Sequence, residues 1–321
     1  MRDREAVSSL SAQPKEGYRH DALLYSGTSE FVSRAVPFIR DGLAAGEPVL
    51  VATSAEKIEL LRAELGPDAE AVEFADMALM GANPARIIPF WKDFIDRHEP
   101  DGRRLRGIGE PIWAGRSSAE LVECQRHESL LNLAVSQTTP MWLLCPYDTK
   151  GLDPAVINEA LCSHPFVTEG ATTRDSDDFR GVDASGAPFD APLPAPPLGC
   201  HEFAFGPGDL TVIRELVSAS AYGAGLDPAR AADLVQATHE VAVNSVRHGG
   251  GRGALRIWRE ANTLVCEIRD QGRIDEPLVD RQRPGAEAAG RRGLWLANQL
   301  CDLVQIRSLP SGSVIRLHMR L

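Results

Sequence analysis

The sequence predicts two domains of different classes, an α/β domain with a parallel sheet followed by an α+β sandwich. In residues 18–167, short apolar runs alternate with helical patterns, which is typical of a doubly wound parallel sheet. Residues 168–199 are rich in proline, glycine, aspartate and serine and predict an exposed linker. Residues 200–321 combine alternating segments with helical ones, and a chain of 321 residues suffices for two domains.

Charge and hydropathy argue against several functions. The formal net charge of −11 disfavours non-specific nucleic-acid binding and leaves acidic nucleotides to local positive sites. No apolar run reaches the roughly 18 residues of a membrane span, and the N-terminus lacks a signal-peptide core, so we expect a cytoplasmic protein with no membrane partner. The cysteines show no metal-ligand spacing and are interpreted as reduced, mostly buried thiols. They are Cys124, Cys145, Cys162, Cys200, Cys266 and Cys301.

The elements of the first domain follow in order along the chain. Five apolar runs predict strands at residues 21–25, 49–53, 71–74, 104–108 and 141–145. Helical patterns lie at residues 29–45, 54–65, 84–98 and 117–136. A continuous apolar run such as residues 49–53 is typical of a parallel strand that is buried on both faces.

Residues 23–53 resemble the beginning of a RecA-like ATPase domain of the circadian-clock ATPase type. Gly42-Leu43 and Gly46-Glu47 match the turn that follows the first helix of that family. The loop at residues 25–30 lacks the glycines and the lysine with which a phosphate loop wraps nucleotide phosphates. The resemblance therefore implies a degenerate RecA-like fold, and we expect no ATP hydrolysis in this half.

A second resemblance rests on the later part of the same domain. Its motifs are residues 109–117 (GEPIWAGRS), 120–132 and 144–148 (LCPYD), with His20 and His164-Pro165. In these motifs the domain resembles the MEDS sensory domain of bacterial regulators, which implies binding of a small molecule or another signal. The candidate pocket residues are His20, Glu110, Trp113, Arg116, Glu123, His127 and Tyr147. For Glu110, Trp113, Arg116 and Glu123, a buried salt-bridge network is an equally compatible interpretation.

The pair His127-Glu128 has two interpretations. On a helix it resembles the phosphoacceptor box of histidine kinases. That box belongs to a dimeric helical hairpin, whereas this pair lies between strands of an α/β pattern. We therefore favour a structural histidine that lines the sensory pocket.

The second domain begins after the linker with an alternating segment. Strands are predicted at residues 201–205, 254–259, 263–269, 303–307 and 314–319. Helices are predicted at residues 209–222, 227–248 and 293–301, where Pro228 occupies a tolerated first-turn position. This order predicts a mixed sheet with helices on one face.

The helical pattern at residues 227–248 carries three polar residues at intervals of four. Glu240, Asn244 and His248 would share one face of this helix, with neighbours about 5–6 Å apart. The helix runs into the glycine-rich residues 249–253, which allow backbone to approach a ligand closely. The alternative interpretation is a polar surface stripe on an amphipathic helix.

Four elements of this domain stand in a recognisable order. They are Glu240 with Asn244, Asp270 with Gly272, Gly290, and Gly293. In this order the domain resembles the ATP-binding sandwich of the GHKL superfamily (Bergerat type) over essentially its whole length. The short lid and the Arg247-His248 ending of the helix resemble those of bacterial anti-sigma-factor serine kinases. The sequence departs from the family at Arg273-Ile274, where a further glycine is usual.

The resemblance implies ATP and Mg²⁺ as cofactors and assigns residue roles. Glu240 would be the catalytic base, and Asn244 the metal ligand, because Mg²⁺ prefers oxygen donors. The Asp270 carboxylate would accept a hydrogen bond from the adenine amine. The other expected nucleotide-binding residues are Arg247, His248, Gly272, Gly290, Arg291, Arg292, Gly293, Leu294 and Ser313. For His248 the alternative is a cation that stabilises the helix C-terminus.

The two resemblances together imply a regulator of transcription in a stress response. The first domain would sense a ligand or a redox state, and the second would bind an alternative sigma factor. The second domain would also phosphorylate a serine or threonine of an antagonist protein by in-line transfer. The alternatives are a histidine-kinase-like sensor and an ATP-gated binding module without phosphotransfer. A homodimer is compatible with each of these.

Overall fold

The computed structural model describes residues 17–170, 172–184, 189, 191–285 and 292–321. Contacts between residues divide the chain into two units. The first unit contains the described residues up to Gly81 and those from Phe90 to residue 184. The second contains Ala82–Pro89 and the described residues from Phe189 onward, so a short piece of the predicted first domain clusters with the second unit.

A seven-stranded sheet forms the centre of the first unit. Its strands are β1 (Arg19–Tyr25), β2 (Val49–Thr53), β3 (Val72–Asp76), β4 (Leu105–Gly109), β5 (Met141–Asp148), β6 (Phe166–Glu169) and β7 (Thr172–Asp175). The order across the sheet is β3-β2-β4-β5-β1-β6-β7. All neighbours pair in parallel except β6 and β7, which are antiparallel. The predicted α/β class with a parallel sheet is confirmed.

Six α-helices begin among the described residues of this part of the chain. They are α1 (Thr28–Ala44), α2 (Ala55–Leu65), α3 (Met77–Met80), α4 (Ile87–His98), α5 (Ser118–Ala134) and α6 (Pro154–Ser163). Side chains fix several N-termini: Ser54 caps α2, and Ser117 with Glu120 forms a capping box at α5. No helix in the described parts of the chain is long and apolar enough to cross a membrane.

The hairpin of β6 and β7 differs from the linker predicted to begin at residue 168. Val167 and Thr168 are buried because β6 pairs along β1, with Val167 opposite Ala22. Strand β7 is mostly exposed and polar, with the sequence TTRD, so it lacks the alternation that identifies a half-buried strand. The sheet therefore continues to Asp175 before the proline-rich segment begins.

The second unit is a five-stranded sheet with helices on one face. Its strands are β8 (Glu202–Phe205), β9 (Gly253–Glu260), β10 (Thr263–Asp270), β11 (Leu303–Leu309) and β12 (Gly312–Arg320), in the order β11-β12-β10-β9-β8. Its helices are α7 (Leu210–Ala224), α8 (Pro228–His248) and α9 (Arg292–Leu300). One apolar core contains Val217 of α7, Val241 of α8 and Ile268 of β10. The α+β class is confirmed.

The prediction of a mixed sheet in this unit is wrong. Every pairing in the five-stranded sheet is antiparallel, including the pairing of β8 with β9. The connection from β8 to β9 runs through both α7 and α8, and such long helical connections are usual between parallel strands. Here the connection contains two helices, and the chain enters β9 in the direction opposite to that of β8.

Candidate nucleotide-binding site

Helix α8 presents its polar residues beside the sheet. The Asp227 side chain accepts hydrogen bonds from the backbone N–H groups of Ala229 and Arg230 at 2.9 and 3.1 Å, which fixes the start of the helix. Glu240 and Asn244 are half-buried, and Gln236 Nε2 donates to Glu240 Oε1 at 2.7 Å. The carboxylate of Glu240 is thus held in place and still reaches solvent.

The Asp270 carboxylate at the end of β10 is fixed by three donors. Ser245 Oγ donates to Oδ2 at 2.6 Å, and Ser313 Oγ donates to Oδ1 at 2.7 Å. The backbone N–H of Gly272 also donates to Oδ1, at 2.8 Å. Asp270 remains half-buried, so its oriented oxygens can accept a further hydrogen bond from a ligand.

Three glycines allow these elements to approach one another. A Cβ at Gly249 would stand 2.5 Å from the Asp270 carboxyl carbon, and one at Gly272 would stand 2.9 Å from the His248 carbonyl oxygen. A Cβ at Gly293 would lie 2.8 Å from Asn244 Nδ2. The end of α8, the end of β10 and the start of α9 therefore converge at one place, as the order of the sequence motifs predicts.

A cavity of about 370 Å³ opens at this convergence. Its size lies within the range of about 300–1,000 Å³ that is usual for small-molecule sites. The lining residues are Asn244, His248, Gly249, Asp270, Gly272, Arg273, Ile274, Asp275, Glu276, Val279, Leu294, Ser313 and Ile315. Charged and amide groups thus face an apolar wall across a partly open space.

Most residues predicted to bind a nucleotide surround this cavity. Those that line it are Asn244, His248, Asp270, Gly272, Leu294 and Ser313. Glu240 and Gly293 lie next to it, since a Cβ at Gly293 would stand 3.4 Å from Glu240 Cβ. Arg247 and Arg292 are exposed and are not among the lining residues. The predicted residues Gly290 and Arg291 lie outside the described part of the chain.

Sequence reasoning missed two contributions to the site. Ser245 orients Asp270, and its signal was a hydroxyl on the largely apolar, buried face of α8. The apolar wall includes Ile274, which belongs to the departure from the GHKL pattern, and Val279. No local pattern marked Val279, because the loop that contains it has no regular periodicity.

The predicted sensory residues of the first unit separate into several groups. Glu110 accepts hydrogen bonds from Tyr25 Oη at 2.6 Å and Thr53 Oγ1 at 2.5 Å, and it pairs with Lys57 Nζ at 2.5 Å. This group lies at the carboxyl ends of β1, β2 and β4, where open α/β sheets usually bind ligands. Burial, followed by the Glu110 charge, raises the pKa of Tyr25 well above its ordinary value.

A second group lies in the loop between β4 and α5 and on α5 itself. The Arg116 guanidinium stacks on Trp113 at 3.8 Å and donates to the carbonyl oxygens of Pro111 and Gly81 at 3.0 and 2.7 Å. Glu123 is buried and lies 3.7 Å from Arg126. For Arg116 and Glu123 these contacts favour the structural network over a ligand pocket.

His20, Tyr147 and His127 occupy the interior. His20 contacts Asn132, Glu128 and Cys145, and the His164 ring packs against His20 at 4.1 Å and Tyr147 at 5.6 Å. Burial, followed by the neighbouring His164, lowers the pKa of His20, and burial raises the pKa of the Cys145 thiol. His127 is only 1% exposed, which favours the structural role over a phosphoacceptor that a kinase domain must reach.

The fold and the converging motifs define a two-domain protein with a GHKL-like ATPase domain. Comparison with known families agrees: residues 19–165 match the MEthanogen/methylotroph, DcmR Sensory domain (MEDS), and residues 203–319 match the histidine kinase-like ATPase domain. The chain therefore carries a MEDS domain followed by a histidine kinase-like ATPase domain. No curated protein matches the chain significantly.

Solved structures match the chain only distantly. The RsbU and RsbW domains of Rv1364c from Mycobacterium tuberculosis match with 18% identity and a TM-score of 0.29, over 38% of this chain and 32% of that chain. The histidine kinase AdeS of Acinetobacter baumannii matches with 14% identity and a TM-score of 0.22, over 38% of this chain and 68% of that chain. The chain thus spans about a third of the length of the first of these structures.

Proposed function

We propose that the chain is an anti-sigma regulatory factor that binds ATP with Mg²⁺ in its second unit and phosphorylates a serine or threonine of an antagonist protein. The observation that carries this proposal is the convergence of Asn244, Asp270, Gly272 and Gly293 beside one cavity of about 370 Å³ in a histidine kinase-like ATPase domain.

The residues at the cavity fit a magnesium nucleotide. Asn244 offers an amide oxygen to Mg²⁺, which takes few protein ligands and keeps several waters. Asp270, fixed by Ser245 and Ser313, would accept from the exocyclic amine of adenine. The apolar side chain of Ile274 would face the base. When bound, Mg²⁺ neutralises charge on the phosphates and so favours in-line transfer.

Glu240 is suited to accept the proton of the attacking hydroxyl. It lies one helical turn before Asn244, and the hydrogen bond from Gln236 holds its carboxylate in one orientation. General bases of this kind contribute about 10²–10⁴-fold to a rate. Arg247 and Arg292 are exposed at the end of α8 and the start of α9, and their positive charge would suit phosphate oxygens or an acidic surface of a protein partner.

The partners follow from the resemblance of the second domain. An alternative sigma factor would bind this domain, and the antagonist would be the phosphate acceptor. The MEDS domain would sense a small molecule or another signal, within a cytoplasmic regulator of a stress response, and a homodimer is compatible with this function.

A binding experiment tests the nucleotide site. Calorimetry with the full chain is expected to show Mg²⁺-dependent binding of ATP, which Asn244→Ala abolishes. Asn262→Ala is the matched control, because Asn262 lies exposed in the β9–β10 turn and its amide bonds the Leu321 carbonyl. Unchanged binding by Asn244→Ala would contradict the site.

A transfer experiment separates the candidate functions. With γ-labelled ATP and a candidate antagonist, we expect acid-stable label on a serine or threonine of the antagonist. Acid-labile label on the chain itself, lost in His127→Ala, would instead identify a histidine-kinase-like protein. ATP binding without label on any protein that co-purifies from the native host would identify an ATP-gated binding module.

A further inference from the structure

Four side chains with metal-binding atoms meet inside the first unit. They are His20 on β1, Glu128 on α5, Cys145 on β5 and His164 directly after α6, here called the donor cluster. Each is at most 1% exposed. One nitrogen, oxygen or sulfur atom from each lies within 4.8 Å of the corresponding atoms of the other three.

The hydrogen bonds of His164 direct a lone pair into the cluster. Its Nδ1 lies 2.9 Å from the carbonyl oxygen of Ala160, which can only accept, so Nδ1 carries the proton. In the neutral ring the other nitrogen, Nε2, is then an acceptor. Nε2 lies 3.3 Å from Glu128 Oε2 and, among the described residues, has no hydrogen-bond partner.

His20 is oriented in the same way by Asn132. The Asn132 amide nitrogen donates to the Ser163 carbonyl at 2.7 Å, so its oxygen faces His20 Nδ1 at 3.0 Å. Nδ1 therefore carries the proton, and Nε2 directs its lone pair towards Glu128 Oε2 at 3.2 Å and Cys145 Sγ at 3.3 Å. Metal-binding histidines are usually held by an acceptor on the other ring nitrogen.

Electron pairs from four buried groups thus converge. The Nε2 atoms of His20 and His164 lie 3.2 and 3.3 Å from the same oxygen of Glu128, and lone pairs at this distance repel unless a proton or a metal ion lies between them. Buried polar atoms in native proteins almost always have partners, so an unpartnered Nε2 in the interior needs an explanation. A bound cation would supply that explanation.

We propose that the donor cluster binds one divalent transition-metal ion, with Zn²⁺ as the best match. Tetrahedral zinc, with bonds of about 2.0–2.3 Å, holds its ligand atoms roughly 3.3–3.8 Å apart. Three of the six separations in the cluster are 3.2–3.3 Å, close to this range, and all six lie within 4.8 Å. Two nitrogens, one sulfur and one oxygen favour zinc over Ca²⁺ or Mg²⁺, which take oxygen ligands.

The proposed site is of the closed, structural type, because four protein ligands complete a tetrahedron. Binding forms a metal–sulfur bond, and the Cys145 thiol releases its proton to solvent. The ion would join β1, β5, α5 and the end of α6, and the sensory unit would become more stable when metal is available. The MEDS domain would thereby respond to the supply of the metal.

Metal analysis of the full chain tests this proposal. After purification without chelator and incubation with Zn²⁺, we expect about one tightly held zinc ion per chain. His164→Ala and Cys145→Ser are expected to lower the zinc affinity at least about 100-fold in competition with a chromophoric chelator. The matched controls His98→Gln and Cys162→Ser, which change residues of the same unit outside the cluster, should bind like the wild type.

Cobalt substitution tests the ligand set without relying on a variant that folds. The wild-type chain with Co²⁺ should show the intense visible bands of a tetrahedral ion and a near-ultraviolet thiolate-to-cobalt charge-transfer band. An octahedral cobalt spectrum, or no saturable binding of Zn²⁺ or Co²⁺ by the folded chain, would overturn the proposal. Wild-type affinity in both cluster variants would overturn it equally.

Asn132 provides a further test, as a positioning residue. Asn132→Leu removes the acceptor from His20 Nδ1 and should weaken zinc binding about 10–100-fold. Asn132→Asp keeps an oxygen at that place and should restore most of the affinity. Equal loss in both variants would indicate a packing role and would count against the inferred orientation of His20.

Discussion

The two units differ in what surrounds their polar side chains. In the first unit, Glu110 and Glu128 are at most 4% exposed and face donors or electron pairs from the same unit. In the second, Asn244 and Asp270 are only half-buried and border a cavity. A buried polar group is therefore satisfied internally or by an ion, whereas an oriented but accessible one can bind a ligand.

The carboxyl edge of the parallel sheet sharpens this contrast. An open α/β sheet usually binds its ligand at this edge, and a related ATPase would hold phosphates there. Here the Lys57 ammonium pairs with the Glu110 carboxylate, which also accepts hydrogen bonds from the hydroxyl groups of Tyr25 and Thr53. The loss of the phosphate loop at residues 25–30 is thus accompanied by internal pairing at the place that phosphates would occupy. In the second unit, by contrast, Asn244 and Asp270 line an open cavity.

The largest expected effect concerns the open site. Glu240→Gln keeps the shape of the side chain and the contact with Gln236 but removes the basic carboxylate. We expect phosphotransfer to fall about 10²–10⁴-fold while ATP affinity changes little, because the base acts on the attacking hydroxyl. Transfer assays and calorimetry on the same preparation measure the two quantities. Glu260→Gln, on the exposed end of β9, is the control, and undiminished transfer in Glu240→Gln would exclude Glu240 as the base.

The second prediction concerns the internally paired site. Lys57→Ala leaves the Glu110 carboxylate buried without its cation and should lower the free energy of unfolding by about 3 kcal/mol. Lys57 and Glu110 side chains are 16% and 4% exposed, so solvent replaces little of the lost interaction. Chemical denaturation measures the change, with Lys150→Ala, on the exposed turn after β5, as control. If ATP affinity fell while stability did not, the edge would be a ligand site after all.

The third prediction concerns the close approach of α9 to α8. Gly293→Ala places a Cβ 2.8 Å from Asn244 Nδ2, closer than these atoms can pack, so the amide must shift. We expect ATP affinity to fall about tenfold, or about 1.4 kcal/mol. Gly208→Ala is the matched control, because a Cβ there meets no atom within 4 Å. Equal affinities for the two variants would show that the position of the Asn244 amide does not matter for binding.

The sequence predicted the nucleotide-site convergence better than the interior of the first unit. Glu240 and Asn244 are one helical turn apart, and Asp270 with Gly272 ends a strand, so local patterns identify both pairs. The donor cluster has no such pattern, since its ligands His20, Glu128, Cys145 and His164 are brought together only by the pairing of β1 with β5 and the packing of α5 and α6. The interpretation of Cys145 as a reduced, buried thiol without metal-ligand spacing missed this neighbourhood for the same reason.

The smallest expected effect concerns the pH dependence of stability that arises from Cys266, a buried thiol outside the donor cluster. Cys266 lies on β10 in the apolar core of the second unit, where burial raises its pKa to about 12 from an ordinary value of 9.0. Below pH 9 both folded and unfolded chains keep the thiol proton; above it only the folded chain does, so stability falls as pH rises. Between roughly pH 9 and pH 10, the free energy of unfolding should therefore fall by about 1 kcal/mol less in Cys266→Ala than in the wild type. Chemical denaturation at both pH values measures this difference. The control is Cys162→Ala, at a half-buried thiol, which should change the pH dependence less. An unchanged pH dependence in Cys266→Ala would mean that the core does not hold this thiol protonated.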